Sequence, residues 1–236
     1  MKHLSALLIP ATLLLSCATP SPISRLTSVD HESTYWNNGS EVISQTKDSI
    51  SVEISFYEKQ NDLFIFDATV VNQRNKSITI DPLQFSYIPI SVKDDTLETI
   101  TSINPESEIL NQQMKISRLE ADRKNQLSQL LIFGSIELVA DLSNNYDENE
   151  YTENHHSPIE SYEREVTRID LRKLNTLDQK EYWENQSLRK TTLFTDYYTS
   201  GKIFLSYRKG LKMMGLIFSI EDQQFEFWFD HELIPY

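Results

Sequence analysis

Apolar and polar residues alternate in two separate blocks of the chain. Val52, Ile54 and Phe56 alternate with Ser51, Glu53 and Ser55, and Phe64, Phe66, Ala68 and Val70 repeat the period. A period of two is that of a strand with one buried face. Asn72-Gln73-Arg74-Asn75-Lys76 is a polar turn; Ile78 and Ile80 follow, and Asp81-Pro82 stops the run. Residues 85–92 predict another strand, and Pro89, which has no N–H for a ladder, places it toward a sheet edge. From Thr191 onward the period returns, ending in the apolar face of Phe225, Phe227 and Phe229, with turns at Arg208-Lys209-Gly210 and Glu221-Asp222-Gln223. Neither block can cover both of its own faces, so the two are expected to share one core.

Between the blocks the pattern is helical. Asn104-Pro105-Glu106 is a helix start, with Asn as cap and Pro in the first turn. Leu110, Met114, Leu127, Leu130 and Leu131 give a partial stripe, interrupted by the polar stretch 120–126. Ser157-Pro158-Ile159-Glu160 is a capping box, followed by Ile159, Tyr162, Val166, Ile169 and Leu174 on one face. Thr176 with Gln179 suggests a separate short helix carrying Tyr182 and Trp183. The acidic, Asn-rich segment 141–156 reads as a loop.

The leader has its own logic. Residues 4–15 form an apolar run too short to span a bilayer, and it ends in Leu14-Leu15-Ser16-Cys17. This resembles the lipobox of bacterial lipoproteins. The resemblance implies a signal peptide over 1–16, cleavage before Cys17 and lipidation of that Cys, the single one in the chain. Two or more acyl chains hold a membrane stably. Ala18 in place of Asp implies, by the same resemblance, the outer membrane, and the lack of an acidic patch in residues 18–22 implies the periplasmic face. Residues 17–41 then read as a lipid-anchored tether, being Ser/Thr/Pro-rich at the start, and residues 42–236 as one domain.

A second resemblance rests on Val71-Asn72-Gln73 and on Gly201-Lys202-Ile203-Phe204-Leu205. These pieces look like the immunoglobulin-like modules of uncharacterised envelope lipoproteins. The expected fold is mainly β: an immunoglobulin-like β-sandwich with a helical insertion at about 104–188, α+β overall. Such families imply no catalytic residues for this chain.

Composition narrows the function classes. The formal net charge is −13, which disfavours a nucleic acid partner, since phosphate backbones require a basic stripe. Five glycines and one Cys leave little for nucleotide loops, disulfide frameworks or Cys-based zinc sites. Gly210 and Gly215 have the spacing of a phosphate loop, but Leu216-Ile217 stands where Lys and Ser/Thr are needed. His155 and His156 lie among acids, yet adjacent histidines in one loop aim poorly at one ion, and a solvated loop is expected. No serine lies in a Gly-x-Ser-x-Gly turn, and His231 is near the tail. The expectation is therefore no enzyme, no cofactor and no metal.

Aromatic pairs supply the remaining candidates. Tyr35-Trp36 and Tyr182-Trp183, with Tyr197-Tyr198 and Trp228, are candidates for an exposed binding patch for a partner or a sugar, because aromatics anchor interfaces and stack on sugar rings. The leading expectation is an interaction or scaffold module that touches an envelope protein through the insertion. The alternative is a carbohydrate- or small-ligand-binding lipoprotein.

Overall fold

A computed structural model describes residues 22–29, 34–143 and 158–235. Among these residues twelve strands and two α-helices follow in order, with a short 3-10 turn at Pro82–Gln84. The first five strands are β1 Ile23–Ser28, β2 Thr34–Asn37, β3 Ser40–Lys47, β4 Ile50–Gln60 and β5 Leu63–Asn72. Then come β6 Ile78–Ile80, β7 Phe85–Ser91, β8 Ile100–Thr101, α1 Pro105–Ser143 and α2 Pro158–Gln186. The chain closes with β9 Thr191–Leu193, β10 Tyr198–Ser206, β11 Leu211–Ile220 and β12 Gln223–Ile234.

The fold is mainly β and its sheets are antiparallel. One five-stranded sheet has the order β1-β12-β11-β7-β8, the other β10-β5-β4-β3-β2, and β6 pairs with β9. Early and late strands are mixed in both sheets, so one apolar cluster joins Ile43, Val52, Phe64 and Phe66 to Phe218, Phe225, Phe227 and Phe229. Two-residue turns connect β2 through β5. Asn38 and Gly39 both have positive φ, as do Asp48 and Ser49, the backbone that matches the right-handed twist of a hairpin.

Within the expected tether, 17–41, the described residues form strands: β1 pairs along its length with β12, β2 lies wholly in this range, and β3 begins in it. Its inward positions are Ser24, Leu26 and Ser28, all buried. One apolar residue between two serines carries little periodic signal, and pairing with β12 supplies what the pattern lacks. Pro89 lies one strand in from the edge. Its carbonyl accepts from Leu97 N–H at 2.9 Å on the outer side, where β8 is only two residues long.

The insertion is a helical hairpin. Asn104 caps α1, accepting from Glu106 N–H at 3.0 Å. The polar stretch 120–126 does not interrupt α1, because Glu120 pairs with Lys173 and Arg123 with Asp170, each at 2.7 Å across the hairpin. Thr176 caps nothing: α2 runs unbroken to Gln186, and its hydroxyl donates to Arg172 O within the helix. Most of the expected acidic loop, residues 144–156, lies outside the described residues, as does Ser157; residues 141–143 form the end of α1. No described helix is long and apolar enough to cross a membrane.

Candidate functional site

Aromatic candidates stand at both edges of the β10-β5-β4-β3-β2 sheet. On β10, inward Ile203 and Leu205 alternate with Lys202 and Phe204, which face outward. The end of α2 lies over that face. Trp183 packs on Phe204 at 4.2 Å between ring centroids and Tyr182 at 6.0 Å, so Phe204 is buried although it points away from the core. Burial pushes the Tyr182 phenol above its ordinary range, and the charges of Glu58 and Asp67 add to this. A groove of about 450 Å³ remains beside the cluster, lined by Gln60, Asn61, Leu63, Asp178, Gln179, Tyr182, Trp183 and Phe204.

Lys202 is next in this layer. It is buried, with its ammonium 2.9 Å from Asp67 and 3.3 Å from the centre of the Tyr57 ring. The chain leaving α2 is held against it, Leu188 N–H donating to Lys202 O at 2.9 Å. Gly201 allows this approach: a Cβ there would stand 2.5 Å from Leu188 N.

Tyr35 and Trp36 sit on β2, the far edge of the same sheet, about 19 Å from β10 across four strand spacings. Tyr35 shares the outer face with Glu53, and burial first, then that carboxylate, pushes its phenol upward. Trp36 points to the other side, into a cleft of about 500 Å³ where β1 and β2 approach each other. Tyr197 and Tyr198 are exposed beside Phe194, and Trp228 lies across Gly215 of its own sheet. The aromatic pairs therefore do not assemble into one patch.

The hairpin departs in part from the expected distribution of apolar residues: Leu127 and Leu130 of α1 and Tyr162, Val166 and Ile169 of α2 are shielded as expected, and the other described positions of the two stripes are not. Solvent-shielded positions recur every three and four residues, at Ile109, Gln112, Ile116, Leu119 and Arg123 of α1 and at Val166, Ile169, Lys173, Thr176 and Lys180 of α2. Much of the seam is thus polar. Leu110, Met114 and Leu131, expected in a packed stripe, are exposed, and so is Leu174. Leucine spacing alone does not distinguish the two stripes; only the pairing of α1 with α2 does.

Sequence reasoning missed the role of His231. Its Nδ1 donates to Leu211 O at 2.9 Å, and its Nε2 is hydrogen-bonded to the Ser24 hydroxyl at 3.2 Å. A neutral carbonyl stands where a triad has a carboxylate, and both side chains are buried. The pair pins β1 to β12. Among the described residues no three His, Cys, Asp or Glu side chains converge on a metal position, while His155 and His156 lie outside them. No family model, curated protein or solved structure matches this chain.

Proposed function

We propose that the chain is a non-enzymatic lipoprotein of the bacterial cell envelope, anchored through Cys17 to the outer membrane with its domain in the periplasm. It acts there as an interaction or scaffold module. In this reading an immunoglobulin-like sandwich is the rigid base and the helical hairpin is the contact element. The exposed leucines of the hairpin carry the reading: Leu171 is 62% and Leu174 58% exposed while Lys173, Thr176 and Lys180 face the seam. Isolated exposed leucines are ordinary, but leucines grouped on the outside of a polar-seamed helix pair offer a second surface for an envelope protein.

In-cell crosslinking of the tagged protein, followed by mass spectrometry, tests this. One dominant protein partner is expected, lost in the Leu171→Glu/Leu174→Glu variant with the circular dichroism unchanged. Equal recovery of that partner from the variant would sink the reading. Cys17→Ala separates contacts that depend on the anchor.

A second reading is favoured by the groove beside Tyr182 and Trp183: binding of a carbohydrate or small ligand at that end of α2. Titration with envelope polysaccharide should then change the Trp fluorescence of the wild type and not of Trp183→Phe. No change at millimolar ligand would dismiss it.

A further inference from the structure

The hairpin and the N-terminal chain leave the domain by one end. Along β10, Lys202 bridges Ser187 and Phe204 meets Trp183. Two strand residues cover about 6.6 Å and the four residues from 187 back to 183 about 6 Å, so the axis of α2 lies along β10 with the opposite chain direction. At the end of β10, Asn61 of the β4–β5 turn lines one groove with Asp178 and Gln179. The part of α2 before Asp178 therefore projects past that turn by roughly 30 Å. Pro22, just before β1, lines a cleft with the same Asn61.

The projecting part exposes apolar residues of α1 well beyond the domain. Phe133 stacks on Tyr162 at 5.4 Å, a level about 24 Å beyond Asp178. There Leu131 is 72%, Ile132 58% and Phe133 41% exposed, three consecutive residues that no single helix face can bury.

The length of chain before Pro22 decides what meets this segment. From Cys17 to Pro22 five residues reach at most about 18 Å. An end held within about 18 Å of a bilayer cannot keep a projection of about 24 Å standing upright clear of it. We propose that residues Leu131, Ile132 and Phe133 dock into the interfacial region of the lipid bilayer that carries the anchor. This rests on the Cys17 anchor proposed above. At this level α2 carries Glu160, Glu163 and Glu165 against Arg164 and Arg168, charges of both signs with an acidic excess, so the surface that suits the segment is zwitterionic, and anionic lipid weakens the contact.

The test uses the full lipidated chain in phosphatidylcholine vesicles containing doxyl-labelled lipid. A fluorophore on Ile132→Cys is compared with one on Ser49→Cys, in the turn at the opposite end of β4; acylation leaves Cys17 unlabelled. Quenching at 132 is expected to exceed that at 49 at least about threefold and to fall with added phosphatidylglycerol. Equal weak quenching on chains shown by mass spectrometry to be acylated overturns the docking and leaves the anchor standing; a protein then covers the segment. If Cys17 carries no acyl chain, the anchor fails. The unacylated chain added to the same vesicles then decides the docking alone: selective quenching at 132 supports it and none overturns it.

Discussion

The indole of Trp183 and the ring of Phe204 lie 4.2 Å apart, and through this contact the last turns of α2 are fastened to the outer face of β10. The half-buried Trp183 shields a side chain that otherwise would be solvent-exposed on the sheet. Trp183→Ala should cost about 2–3 kcal/mol and Trp183→Phe less than half of that. Hydrogen exchange should speed up in α2 and β10 together in the Ala variant. Unchanged exchange in α2 would show that the hairpin is held elsewhere.

Arg74 ties three turns together at the opposite end of the sheets. Its guanidinium donates to the Asp48 carboxylate, to Asp48 O at 2.9 Å and to Asp222 at 2.9 Å. Hydrogen bonding from Arg74 holds the Asp222 carboxyl below the usual carboxylate range. A lowered native pKa gives stability that is present above the unfolded carboxylate value of about 4 and is lost as pH falls through the native value. Arg74→Met should lower the urea midpoint at pH 7 with m unchanged, and flatten the acid limb of the stability curve. An acid limb of unaltered slope would rule out this source.

Two glycines face obstacles of different hardness. A Cβ on Gly201 would lie 2.5 Å from Leu188 N, and one on Gly215 would lie 2.7 Å from the tip of the Trp228 ring. Backbone held by the bond from Leu188 N–H to Lys202 O has no room to yield, whereas the ring can tilt. Gly201→Ala should cost about 2–4 kcal/mol and Gly215→Ala about 1 kcal/mol. Thermal melts of the two variants give the order directly; the reverse order would contradict the geometry.

Tyr87 sets an alkaline limit. Its side chain is fully buried, with the hydroxyl donating to Ser206 O at 2.7 Å, and burial raises its pKa to about 12. A raised native pKa means that the native state keeps a proton which the unfolded chain releases near pH 10. The stabilising contribution is complete below pH 10 and fades up to about pH 12, a loss of about 2–3 kcal/mol. Tyr87→Phe should lose about 1 kcal/mol at neutral pH and remove this alkaline step. Urea titrations at pH 8 and pH 11 measure both effects.

Much of the β framework is legible from alternation alone. Val52 and Ile54 alternate with polar neighbours, Phe64 and Phe66 and the run Phe225, Phe227 and Phe229 keep the period of two, and all are buried in the shared core. The cap at Asn104 is equally local, since one side chain and the following backbone suffice to form it. The aromatic candidates are legible as residues but not as an arrangement. Tyr182 and Trp183 cover Phe204, while Tyr35 and Trp36, adjacent in sequence, face opposite sides of an edge strand.

By itself the sequence determined the periods: which residues share the face of a strand or helix, where α1 begins, and that two distant strand blocks need one core. The tertiary structure alone decided what lies against each face. It turned Ile23–Ser28 into a strand through pairing with β12, placed polar residues in the helical seam and left leucines outside it. The physical reason is that periodicity is a property of one segment, whereas burial belongs to two surfaces in contact. Ser24 and His231, 207 residues apart, can acquire each other only when the chain has folded.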